Sequence, residues 1–120
     1  MKIAFTTSGT DLKAALDRRF GRAAQFLVYD TDGESFEVVD NAQNLNAAQG
    51  AGIQAAQSVV ETGAKAVVTG NCGPKAFRVL EAAGIKVYNA NAATISEALV
   101  MYREGRLTEA TSANVEGHWM

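Results

Sequence analysis

Apolar residues follow two spacings along the chain, and each spacing assigns an element. Residues 2–7, KIAFTT, form a short β-prone run that stops at Ser8-Gly9, which predicts a buried first strand. QFLVYD at 25–30 and SFEVVD at 35–40 predict two further strands. Between them lies TDGE, whose Asp32-Gly33 predicts a hairpin turn with both central residues at positive φ. Thr10-Asp11 predicts a cap for a short helix over Leu12, Ala15 and Leu16, broken by Gly21. Residues 41–52, NAQNLNAAQGAG, are polar and predict a loop; a loop of that length in a small domain is commonly functional.

The second half alternates in a different way. Ile53, Ala56 and Val60 recur at helical spacing up to Gly63, a residue suited to the position after a helix end. AVVT at 66–69 and IKVY at 85–88 read as fully buried strands of a parallel sheet. Pro74 opens a helix that buries Phe77 and Leu80 and stops at Gly84. Thr94 and Glu97 form a capping box for a last helix with Ile95, Leu99 and Tyr102 on one face and Gly105 beyond it. The closing LTEATSANVEGHWM has no period. We therefore expect one α/β domain over 1–108, a flexible tail over 109–120, and a mixed sheet. Its parallel strands come from the helix–strand alternation, and its antiparallel edge comes from the hairpin.

Composition narrows the function classes. Hydrophobic residues make up 48% of the 120, enough for a core without cross-links. One cysteine forms no internal disulfide, which fits a cytoplasmic setting. No stretch has the length and apolarity of a membrane span. A net charge of −2 argues against a nucleic-acid partner. The charge is nonetheless segregated. Lys13, Arg18, Arg19 and Arg22 fall together, and Asp30, Asp32, Glu34, Glu37 and Asp40 follow.

The chemistry concentrates in GNCGPKAF, residues 70–77, which holds the only cysteine and the only proline. It lies after a parallel strand and before a helix, where α/β sheets bind ligands. The ends of the first and last strands, Thr7-Ser8-Gly9 and Asn89-Ala90-Asn91, are expected at the same edge. A helix start favours an anion, and it lowers the pKa of a thiol placed there, with Lys75 and Arg78 adding to the effect. Cys72 then reads either as a soft-metal ligand or as an inert buried thiol. A third reading takes Cys72 and Arg78 at the spacing of a cysteine-phosphatase loop, although Pro74 removes one of the amides such a loop needs. Gly50-Ala51-Gly52-Ile53-Gln54-Ala55 matches a dinucleotide fingerprint but follows a loop instead of a strand. With one histidine, His118 beside Trp119, and one cysteine, a multi-cysteine iron–sulfur site held by a single chain is excluded.

Five stretches together resemble the dinitrogenase iron–molybdenum cofactor-binding family: MKIAF, RFGRA at 19–23, the loop ending in GAG at 50–52, GNCGPKAF, and AGIKVY at 83–88. The resemblance implies a ribonuclease-H-like mixed five-stranded sheet of order 3-2-1-4-5, one strand antiparallel, with helices on both faces. It implies no nuclease. It also implies a non-enzymatic carrier of a metal–sulfide cluster. The pocket carries over onto Arg19, Phe20, Gly21, Arg22, Gly50, Gly52, Asn71, Cys72, Gly73 and Pro74. Family members often have histidine where this chain has Arg19, and histidines in the long loop. Their replacement shifts the expectation from iron ligation to electrostatic holding of a polyanion. A cysteine at position 72 is similar to the orange-protein subgroup, which favours a molybdenum–copper sulfide cluster over an iron–molybdenum or iron–sulfur one. The family also sits beside P-loop ATPases, which keeps an adaptor role with an ATPase partner as the alternative.

Overall fold

The computed structural model describes residues 1–41 and 51–110. Six strands form one mixed sheet in the order β3-β2-β1-β4-β5-β6. They are β1 (Lys2–Thr7), β2 (Gln25–Asp30), β3 (Ser35–Asp40), β4 (Ala66–Thr69), β5 (Lys86–Asn89) and β6 (Thr108–Glu109). Three helices connect them: α1 (Ala51–Thr62), α2 (Pro74–Ala82) and α3 (Ile95–Arg103). β1, β4 and β5 run parallel, and β2 is antiparallel to both β1 and β3.

The two faces of the sheet build two cores. Ala4, Phe26, Val28, Val67 and Val87 point to the side that α1 and α2 cover, with Ala55, Ala56, Val59, Ala76, Phe77 and Leu80. Ile3, Phe5, Leu27, Tyr29, Ala66 and Val68 point to the other side, under Leu16, Ile95, Ala98 and Leu99. Burial on both sides explains why β1 and β4 read as continuous apolar runs instead of alternating ones.

Several expectations are corrected. The sheet has a sixth strand where the sequence showed no period: Tyr88 pairs with Glu109 and Asn89 with Thr108, and the Ala110 N–H donates to the Val87 carbonyl at 2.7 Å. Residues 108–110 are thus part of the sheet edge. A two-residue strand is too short to show a period. β5 starts one residue later than expected, within the usual spread of strand ends.

The short helix expected over Leu12–Leu16 does not form. Asp11 instead takes the Lys13 N–H on its carboxylate at 2.8 Å, a local turn. The chain then runs extended, with Ala15 bridging Thr94 and Leu16 bridging Thr7. Tertiary pairing wins over a short, weakly capped helix.

The hairpin forms, but not with the expected turn. Asp30 pairs with Ser35 around a four-residue loop, and it is Glu34 that takes the positive φ, 51°. Asp30 accepts the Asp32 N–H at 2.9 Å and directs the chain into this geometry. On α1 the buried residue is Val59, while Val60 is 38% exposed. The small Ala55 and Ala56 let the helix turn that face onto the sheet. The glycines expected at helix ends are confirmed: Gly63, Gly84 and Gly105 have φ of 81°, 77° and 71°.

Candidate functional site

The site begins with two buried hydroxyls at the ends of neighbouring parallel strands. Thr6 Oγ1 donates to the Asp17 carbonyl at 2.6 Å and lies 3.0 Å from Thr69 Oγ1. The Asp17 N–H returns a bond to the Thr6 carbonyl at 2.8 Å. This fixes the incoming end of the arginine segment above the β1–β4 seam.

From there the two predicted motifs form a ladder. The Asn71 N–H donates to the Arg18 carbonyl at 2.6 Å, and the Phe20 N–H donates to the Asn71 carbonyl at 3.1 Å. Arg19 and Asn71 thereby form a parallel bridge. RFGR and GNCGP, with 51 residues between their Arg19 and Asn71, are laid side by side by backbone bonds. Asp17 Oδ1 accepts the Arg19 N–H at 2.9 Å and lies 3.8 Å from Arg19 Nε. The Arg19 side chain remains 70% exposed.

Beneath this rung the side chains are apolar. Phe20 is buried, its ring 5.5 Å from that of Phe26. Cys72 is 1% exposed in the same core as Phe20, Ala76 and Phe77. Its Sγ lies 3.7 Å from the Gly73 carbonyl, to which it donates. Burial pushes the thiol from its ordinary 9.0 up to about 12. The expected lowering by the helix start is therefore reversed: desolvation dominates, and Cys72 is a neutral thiol. A thiol raised in this way runs against the phosphatase reading, which needs a thiolate. Phe77, expected at the core, is there.

Gly73 caps α2 with φ −70° and ψ 165°, without a side-chain cap, and Pro74 follows as its first residue. No acid lies in the first turn. The start of α3 is different. Its amides are used by the loop after β1, with the Ile95 N–H on the Ala14 carbonyl at 3.0 Å and the Ser96 N–H on Leu12 at 2.8 Å. The Glu97 N–H donates to the Thr94 hydroxyl oxygen at 3.2 Å, the expected cap. Of these two helix starts, only that of α2 retains the electrostatic character an anion needs.

The three strand ends do meet at one edge. Arg18 Nη2 lies 3.5 Å from Asn91 Oδ1, and Asn89 Nδ2 donates to the Gly70 carbonyl at 3.3 Å. The Arg19–Asn71 rung divides them: Phe20 and Cys72 belong to the α1–α2 core, and Ala90 and Ala92 to the opposite one. Gly21 is half-buried and Arg22 exposed. Gly52 lies in the first turn of α1, where an added Cβ would come 3.4 Å from Ala76 Cβ, so it serves close helix packing. Gly50, His118 and Trp119 lie outside the described residues. Among the described residues no group of three or more His, Cys, Asp or Glu side chains could hold a metal ion.

Sequence reasoning missed two supports. Asn41 is fully buried; its N–H donates to Ala24 and its Nδ2 to Ala23, at 2.8 and 2.7 Å, pinning the segment after RFGR to the end of β3. Gly70 is the second. A glycine next to an extended strand was its only signal.

Comparison with known proteins accords with this geometry. The model of the family described as "Dinitrogenase iron-molybdenum cofactor" matches residues 1–105. The apo form of the orange protein from Desulfovibrio gigas is 41% identical, with a TM-score of 0.92 over 95% of this chain and 96% of that one. A Thermotoga protein described as a "putative NifB protein", solved by NMR, is 39% identical, with a TM-score of 0.84 over 97% and 98% of the two chains. An uncharacterized protein of Methanocaldococcus jannaschii is 32% identical over 77% of this chain and 80% of its own length. No helix among the described residues is long and apolar enough to cross a membrane. The chain belongs to the dinitrogenase iron–molybdenum cofactor family and is related in structure to the orange protein.

Proposed function

We propose that the protein binds a preassembled, anionic metal–sulfide cluster as cargo and releases it unchanged, without a catalytic step. A molybdenum–copper sulfide is the favoured cargo because of the relation to the orange protein. Arg19 and Arg22 supply positive charge. The backbone N–H groups of Gly21 and Gly73, with Gly52 in the first turn of α1, supply donors for sulfides. Phe20 and Cys72 underlie the site as an apolar floor. The observation that carries this reading is the Arg19–Asn71 rung. It holds the arginine segment against the residues that lead into α2, whose start has no side-chain cap, with the Arg19 side chain exposed and the one thiol buried. That donor set suits a ligand that brings its own sulfides and its own negative charge. It does not suit a bare metal ion that must be chelated.

The test is anaerobic reconstitution of the apo-protein with tetrathiomolybdate and copper(I), and separately with iron and sulfide. Visible spectra and bound metal are read for wild type, Cys72→Ser and Arg19→Ala. We expect a coloured molybdenum–copper complex that persists in Cys72→Ser and weakens in Arg19→Ala. Colour lost with Cys72→Ser alone, or absent from every sample, overturns the proposal.

A further inference from the structure

Gly70 has φ outside the left-handed region, so its lack of a side chain is not required by backbone conformation. Space requires it. A Cβ at position 70 would lie 2.8 Å from Arg18 Cα, 2.9 Å from Arg18 Cβ and 2.9 Å from the Arg18 carbonyl oxygen. Two of those three atoms are backbone, and none is the far end of a flexible side chain. The Arg18 carbonyl is also the acceptor for Asn71, at 2.6 Å. An added methyl group therefore cannot be relieved by a rotamer change. It must push the arginine segment off the β4 end and stretch the first bond of the ladder.

We infer that Gly70 is a positioning residue for the cluster site: its bare Cα lets the Arg18 backbone approach close enough to lock Arg19 and Phe20 in register with Asn71, Cys72 and Gly73. The part of this concerning affinity rests on the cluster-binding reading; the part concerning the ladder stands on the protein alone. The inward side of the ladder is anchored independently by the Thr6–Asp17 bonds. The displacement therefore falls on Arg18–Phe20, and the strands keep their pairing.

The experiment compares Gly70→Ala with wild type and with Gly33→Ala. The control glycine lies in the hairpin loop, where a Cβ meets nothing closer than 3.5 Å. Amide exchange is measured first on the apo-proteins. In Gly70→Ala the Phe20 and Asn71 amides should exchange at least about tenfold faster, while Val67 and Val68 keep wild-type rates. Next, affinity for tetrathiomolybdate plus copper(I) is measured per folded molecule. It should fall by about tenfold or more, with weaker induced circular dichroism in the visible bands. A purely structural role would lower the melting temperature and leave affinity per folded molecule unchanged. Unaltered exchange at Phe20 and Asn71 overturns the inference. If Gly70→Ala does not fold, wild-type exchange decides: both amides should be protected together, far more than the amide of exposed Thr10, and unprotected amides overturn the ladder itself. Wild type that binds no cluster refutes the proposed function and leaves the ladder result standing. Wild type and Gly70→Ala binding alike refutes the positioning role alone.

Discussion

Cys72 offers the sharpest quantitative test, because its two readings differ by orders of magnitude in reactivity. The thiolate is the reacting species, and burial raises the thiol from 9.0 to about 12. At pH 8 an ordinary thiol of this kind is roughly 10% ionised, whereas one at about 12 is ionised to roughly 0.01%. The native protein should therefore react with Ellman's reagent roughly 1000-fold more slowly than the unfolded chain, before any steric exclusion is counted. The same shift is a statement about stability. The folded pKa lies above the unfolded one, so the contribution is fully present below pH 9 and is lost as pH rises towards 12. Within that window the native state keeps a proton that the unfolded state has released. Unfolding free energy then falls by about 1.4 kcal/mol per pH unit relative to a variant without the thiol. Urea titrations of wild type and Cys72→Ala at pH 8, 9 and 10 isolate this term, since lysines and tyrosines titrate alike in both. Native labelling within tenfold of the unfolded rate, or parallel pH dependences in the two proteins, would refute the buried neutral thiol and reopen Cys72 as a metal ligand.

Other outcomes follow from the same geometry. Asp17→Asn keeps an oxygen to accept the Arg19 N–H but removes the carboxylate near Nε, so polyanion affinity should rise by about threefold at low salt and converge with wild type at high salt; an unchanged titration contradicts it. Arg19→Ala should do the opposite and flatten the salt dependence of binding. Gly63→Ala should cost about 1 kcal/mol in urea unfolding, because φ of 81° is strained for any side chain even though nothing lies within 4 Å of the added Cβ. Phe20→Ala should cost about 3–5 kcal/mol, since a fully buried ring packed on Phe26 leaves a cavity in the α1–α2 core; a loss under 1 kcal/mol would mean the ring is not held there.

How much of this was legible depended on how local the determining interactions are. β1, β2 and β4 have the bounds their apolar runs give, because a buried strand is specified by its own composition, while the largely exposed β3 is set by its hairpin pairing with β2. The helix starts at Pro74 and Thr94 and the glycines after each helix were equally plain, since caps are chosen by nearest neighbours. What stayed hidden is set by distant residues. Leu12–Leu16 has the spacing of a helix, but Thr7 and Thr94 hold it extended. β6 exists because β5 offers an open edge. The thiol pKa was misjudged because a helix start is visible in sequence, whereas Phe20 and Ala55, which share the core around Cys72, come from other segments. The candidate site followed the same rule. RFGR and GNCGP stand out as motifs, but the bonds joining them are made by backbone atoms, which leave no residue signature. Gly70 leaves a trace only as an absence.

A site built this way has consequences for what it can carry. Its fixed parts are main-chain: the Arg18–Asn71–Phe20 ladder and the uncapped start of α2. Its exposed charge sits on a long side chain that an adjacent carboxylate only partly offsets. Contacts of this type are strong in sum and weak one by one, and they break without cleavage of a metal–sulfur bond. A thiolate ligand would have replaced them with a bond that must be exchanged before the cargo could leave. Keeping Cys72 protonated under the ladder avoids that trap, and its sulfur still fills the core beside Phe20 and Ala76. The buried thiol and the exposed arginine thus point the same way. Recognition by charge and hydrogen bonds, over an apolar floor, suits the proposed role of holding a finished anionic cluster and then giving it up.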